Sequence, residues 1–179
     1  MNRFDIWLQW PCMEYSRVYL IGFMGAGKTT IGRQLARKLG WRFIDLDREI
    51  EQREGRKIAE IFQESGEPHF RSLEQHYLEE ISSADGAVIA LGGGAYLDAQ
   101  NRTLADETGL TVWLKVSFNK VAERVKIDGT RPKFGSRDEA ERLYRSRQSY
   151  YALAKVQIST DVGTPDSAAE EIIGVIKKS

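Results

Sequence analysis

The run Gly22-Phe23-Met24-Gly25-Ala26-Gly27-Lys28-Thr29 fits the spacing G-x-x-x-x-G-K-S/T of a phosphate-binding loop. Such a loop works only between a buried strand and a helix, and both flanks are legible. Val18, Tyr19, Leu20 and Ile21 make a short apolar run, and after the loop Ile31, Leu35, Ala36 and Leu39 recur at helical spacing. In that setting the backbone N–H groups of Gly25, Ala26, Gly27 and the first helical residues through Thr30 face phosphate oxygens. Lys28 reaches the β/γ oxygens of a triphosphate, and the Thr29 hydroxyl is a ligand for Mg²⁺. A glycine-rich turn without function would leave the lysine, the threonine and both flanks as coincidences.

Bulk properties narrow the remaining choices. A chain of 179 residues suits one α/β domain with an adequate core. Its 26 basic and 26 acidic residues cancel, which speaks against a general nucleic-acid surface. Cys12 is the sole cysteine, so an intrachain disulfide is excluded and a reducing, cytoplasmic setting is expected. No apolar run approaches the ~20 residues of a membrane span. His69 and His76 lack metal-ligand spacing with Cys12 and read as ordinary surface residues. Residues 1–16, with Trp7 and Trp10, lack the basic start and apolar stretch of a signal peptide, so they read as an extension before a domain at 17–179.

Strands are predicted at 18–21, 42–44, 87–90, 111–114 and 156–158, with helical stretches between them and no two-residue hairpins. That alternation predicts an α/β fold, a parallel sheet covered on both faces. A long helical insertion is predicted at 47–54, 58–65 and 67–82, and Thr164-Pro165 opens a last helix to about residue 178. Ligands of such sheets lie beyond the carboxyl ends of the strands.

Four groups there have the right chemistry. Asp45 and Asp47 follow the second strand, on one side of it by alternation, where buried charge needs a cation or hydroxyl partner. Asp45 suits Mg²⁺ held through water, and Asp47 suits a substrate hydroxyl whose proton it draws off. A plainer reading makes Asp47 the cap of a helix starting at Arg48. Gly92-Gly93-Gly94 after the third strand lets backbone approach a ligand. Arg71, with Glu74 one turn on, offers a planar fork for a carboxylate, although a simple surface ion pair explains the spacing as well. Between Arg124 and Arg147 stand eight basic residues against four acidic ones, and the Gly/Pro-containing stretch 126–137 reads as a mobile lid over the nucleotide.

Taken in order, these residues resemble the shikimate kinases over nearly all of the chain beyond the extension. The resemblance rests on Gly22 to Thr29, Phe43 to Asp47, Gly66-Glu67 with Phe70-Arg71 and Glu74, Gly92 to Gly94, Val112-Trp113-Leu114, Arg124, Arg131-Pro132, and Arg147 with Tyr151. It implies a five-stranded P-loop kinase fold and ATP-dependent phosphorylation of the shikimate 3-hydroxyl, with Mg²⁺, in the making of aromatic amino acids. It further implies that Asp47, Arg71, Gly93, Gly94 and Arg147 hold shikimate, that Thr29 and Asp45 serve Mg²⁺, that Arg131 sits on the phosphates and that Arg124 lies against adenine. Lys28, Asp47 and Arg131 would carry catalysis, in an enzyme expected to act as a monomer with neither nucleic acid nor membrane as partner.

Three features depart from the family pattern. The lid reads Arg131-Pro132-Lys133-Phe134 where the family often has Arg-Pro-Leu-Leu, the register near Arg147 also admits Arg145, and the third strand ends without an acidic residue. Other readings are a kinase of gluconate or a nucleoside monophosphate, a GTPase switch, and a non-catalytic binding protein. The switch reading is weak because Asn119-Lys120-Val121 is followed by Ala122, which has no carboxylate for a guanine edge. The binding-protein reading does not need Lys28, Asp47 and Arg131 together.

Overall fold

The computed structural model describes residues 15–125 and 136–177. Five strands, β1 (Arg17–Ile21), β2 (Arg42–Asp45), β3 (Ala87–Ala90), β4 (Leu110–Lys115) and β5 (Val156–Ser159), form one sheet in the order β2-β3-β1-β4-β5. Every adjacent pair is parallel, and each predicted strand is present to within a residue at either end. A parallel pair cannot be closed by a tight turn, so each connection carries helix and both faces of the sheet are covered. The helices are α1 (Lys28–Leu39), α2 (Leu46–Glu54), α3 (Ile58–Ile81), α4 (Ala99–Thr108), α5 (Phe118–Arg124), α6 (Arg137–Tyr151) and α7 (Pro165–Ile176). β1 lies at the centre, and its Val18, Tyr19 and Leu20 are fully buried. The apolar stripe of α1 (Ile31, Leu35, Ala36, Leu39) is buried as its spacing predicted, and α1 packs on α7.

Register places the site. Leu20 and Asp45 both pair with Ala90, and Ile21 pairs with Trp113, so the central strands finish at one level. β3 flanks β1 on one side and β4 on the other, so the winding reverses at β1 and opens a crevice at its carboxyl end. The phosphate loop leaves the sheet at that point.

One local expectation holds and one is corrected. The break expected between 58–65 and 67–82 is present, because α3 is interrupted at Gly66, whose backbone is not helical (φ 80°, ψ 172°), two residues before Pro68. Proline lacks an N–H and clashes with the preceding turn, and glycine absorbs the resulting bend. Asp47 is on neither a strand nor a cap, because β2 stops at Asp45 and Asp47 is the second residue of α2. Asp45 holds the cap position but makes no capping bond.

Candidate active site

The phosphate loop is built by backbone geometry. Gly25 and Gly27 take φ values of 76° and 94°, which side chains rarely allow and which turn successive amides toward one concave face. Lys28, the first residue of α1, donates from Nζ to the carbonyls of Gly22 (2.7 Å) and Phe23 (3.2 Å). Burial brings its pKa down from 10.5 to about 8, with Asp47 and Asp45 acting to raise it and Arg147 to lower it. The Thr29 hydroxyl donates to Asp45 Oδ2 at 3.0 Å. Arg124, at the end of α5, donates to the carbonyls of Gly25 (3.0 Å) and Thr160 (2.6 Å) and so ties the loop to the end of β5.

These groups line a cleft of about 670 Å³ that also includes Thr30, Asp47 and the stretch from Val162 to Pro165. The last of these was missed as site in the sequence, where Thr164-Pro165 signalled only a helix start. Applying the carboxyl-end rule to β5 would have found it. The Thr29 hydroxyl and the Asp45 carboxylate are hard oxygen donors, suited to a Mg²⁺ that takes few protein ligands and completes its shell with water and phosphate. Among the described residues no cluster of three or more His, Cys, Asp or Glu could cage an ion unaided, which matches that sparse donor set.

Beside the cleft, each glycine after β3 makes room for a different charged side chain. A Cβ on Gly92 would overlap the Asp47 carboxylate and come within 3.0 Å of Glu74 Oε1. One on Gly93 would stand 3.0 Å from Arg147 Nη1, and one on Gly94 would stand 2.6 Å from Arg71 Nη1. The triplet thus permits the close approach of three charges contributed by α2, α6 and α3. Arg71 is no simple surface pair. Its guanidinium bonds Glu74, whose side chain is 1% exposed, and also Glu67 at 2.6 Å. Burial acts to lower the Arg71 pKa, yet these two carboxylates more than offset it and hold it raised.

Arg145 and Arg147 differ sharply in burial. Arg145 is exposed and pairs along its own helix with Glu141 at 2.6 Å. Arg147 is 7% exposed, its guanidinium lies 5.8 Å from the Phe23 ring centre, and its buried Nε has no hydrogen-bond partner among the described residues. Of the other basic residues in that stretch, Arg137 lies against Phe118 and Arg142 is off the cleft. Arg131 and most of the expected lid lie outside the described residues, as does nearly all of the expected extension. Lys28, Thr29, Asp45, Asp47, Arg71, Gly93, Gly94, Arg124 and Arg147 are brought to one edge of the sheet.

Comparison with known proteins agrees with this arrangement. The shikimate kinase family model matches residues 24–177. The shikimate kinase of Persephonella marina is 42% identical over 161 residues, covering 89% of this chain and 98% of that protein. That of Thermobifida fusca is 45% identical over 157 residues, covering 86% and 90%. Among solved structures, the shikimate kinase of Acinetobacter baumannii in complex with shikimate superposes with a TM-score of 0.85 at 36% identity, covering 92% of this chain and 94% of that one. A family match across almost the whole described chain, together with a parallel sheet that carries Lys28, Asp47, Arg71 and Arg147 at one edge, makes this chain a member of the shikimate kinase family.

Proposed function

We propose that this chain transfers the γ-phosphoryl group of ATP to the 3-hydroxyl of shikimate, giving shikimate 3-phosphate and ADP on the route to chorismate and the aromatic amino acids. The observation that carries the reading is that Lys28, a phosphate ligand by motif, feels the charges of Asp47 and Arg147, while Asp47, Arg147 and Arg71 all stand on Gly92 to Gly94. Two arginines suit a carboxylate and an aspartate suits a hydroxyl, and shikimate carries both groups. Gluconate shares those groups, but the homologous shikimate kinases and the structural neighbour solved in complex with shikimate favour shikimate.

The loop amides and Lys28 hold the β- and γ-phosphates, and Arg124 lies where the nucleotide's base end would rest. Arg71 and Arg147 clasp the carboxylate and so fix the ring, which turns the 3-hydroxyl toward the γ-phosphorus. Asp47 accepts the hydroxyl proton as the new O–P bond forms and the bond to ADP breaks. Thr29 and Asp45 would hold Mg²⁺, which when bound neutralises charge on the β- and γ-oxygens. Arg131 is assigned to the phosphates by family resemblance. The enzyme acts as a monomer in this reading, and the lone Cys12 fits a reducing cytoplasm. No helix among the described residues is long and apolar enough to cross a membrane.

A coupled assay for ADP release with shikimate, gluconate and nucleoside monophosphates tests the reading. Shikimate-dependent release is expected, with little from the others. Equal or greater release with another acceptor would overturn it.

A further inference from the structure

Tyr151 is fully buried, and it takes part in the acceptor pocket only through its hydroxyl. Its ring packs on Trp113 with centroids 6.2 Å apart, and its oxygen donates to the Gly93 carbonyl at 2.5 Å. The single phenolic proton is committed to that bond, so the lone pairs remain for a donor. Arg147 stands one turn before on the same face of α6, with its guanidinium beside the phenol and acting on it electrostatically. A Cβ on Gly93 would stand 3.0 Å from Arg147 Nη1 and 3.9 Å from the Tyr151 oxygen, so the three groups meet at one point.

We propose that Tyr151 is a positioning residue of the acceptor pocket, its hydroxyl orienting both the Gly93 peptide and the Arg147 guanidinium toward the acceptor's carboxylate. The inference rests on the shikimate kinase reading above and adds a residue that does not itself touch substrate. Two physical facts carry it. The peptide unit is planar and trans, so the bond that fixes the Gly93 carbonyl also fixes the Gly94 N–H, which points the opposite way. Among the described residues the Nε of Arg147 has no hydrogen-bond partner, and its guanidinium lies 5.8 Å from the Phe23 ring centre. Burial, opposed in part by Arg147, pushes the phenol up to about 12, so the hydroxyl stays protonated and keeps donating across the working pH range.

Tyr151→Phe removes one oxygen and keeps the ring on Trp113. The shikimate KM and Kd are expected to rise about tenfold or more, while the ATP KM stays within about twofold, kcat falls less than KM rises, and the protein remains folded. In combination with Arg147→Lys, the double variant should lose little more than Arg147→Lys alone, because the hydroxyl acts through that arginine. An unchanged shikimate KM, strictly additive losses, or equal weakening of both substrates together with a lower melting temperature would overturn the proposal. So would a Tyr151→Phe protein that fails to fold, since the hydroxyl would then be a structural necessity. Wild-type ADP release with shikimate is measured alongside. Its absence removes the functional reading and this inference together, whereas an active wild type with an indifferent variant removes only the role of Tyr151.

Discussion

Burial of the Lys28 ammonium has a consequence that can be measured by pH. Its pKa falls from 10.5 to about 8, so in the free protein the charge that binds phosphate is complete below about 8 and is lost as pH rises through it. ATP affinity should therefore fall above pH ~8, by up to about tenfold per unit, and not near the 10.5 of an ordinary lysine. Calorimetric titration between about pH 7 and 9.5 checks this, and a flat profile would show that Lys28 is not the controlling charge. For stability the sign is opposite. The unfolded chain binds the proton between about 8 and 10.5 and the folded one does not, so this group makes stability increase with pH across that window. Lys28→Ala should cut turnover by orders of magnitude in a folded protein. Asp47→Ala and Arg71→Ala should instead weaken shikimate use, by about 2–5 kcal/mol for the lost charge partner, with ATP binding nearly kept. Separate titrations of the two substrates discriminate, and equal weakening of both would make these residues structural. The Asp47 role was legible from its residue type, but its position was not. Strand alternation put it on β2, whereas α2 begins one residue before it.

At the scale of the element, Gly92 to Gly94 shows how a turn can select side chains by leaving room. Gly94→Ala would set a Cβ 2.6 Å from Arg71 Nη1, and that guanidinium cannot easily retreat while Glu74 and Glu67 hold it. The variant is expected to keep its melting temperature within a few degrees and to raise the shikimate KM at least about tenfold, with ATP affinity close to wild type. Steady-state kinetics in both substrates and a thermal melt check this, and an unchanged shikimate KM would mean that Arg71 is not held by this contact. The glycine triplet itself was readable as a place where backbone approaches something. Which charges fill the space was not, because α2 and α3 lie far in sequence from α6 and from the glycines, and they meet only after the sheet has formed. The break of α3 at Gly66 was legible by contrast, since Gly66 and Pro68 announced it, and the stretch after it buries Phe70, Tyr77 and Leu78.

For the molecule as a whole, the site is assembled at the point where strand order reverses. The residues that line it fall between Gly22 and Ala168. A chain beginning at Met13 should accordingly keep shikimate-dependent ATP turnover, even if a buried tryptophan of the first residues were worth about 1.5–3 kcal/mol of stability. Activity of the full and shortened chains, compared where both are folded by circular dichroism, checks this. A folded but inactive short form would make the first residues part of the enzyme.

The sequence alone determined the parallel α/β sheet and the phosphate loop, because both follow from local rules. Apolar strands without hairpins force crossovers, and one octapeptide from Gly22 to Thr29 sets its own backbone. It also determined that Arg71 and Asp47 had chemistry to offer. Only the tertiary structure separated Arg145 from Arg147, which face opposite ways on α6, one exposed and one 7% exposed against Phe23. Only it set Thr29 on Asp45, Tyr151 on Gly93, and charged side chains over each glycine of the turn after β3. Periodicity reports which face of an element is apolar, whereas contacts between elements depend on strand register and helix packing, which no local pattern encodes.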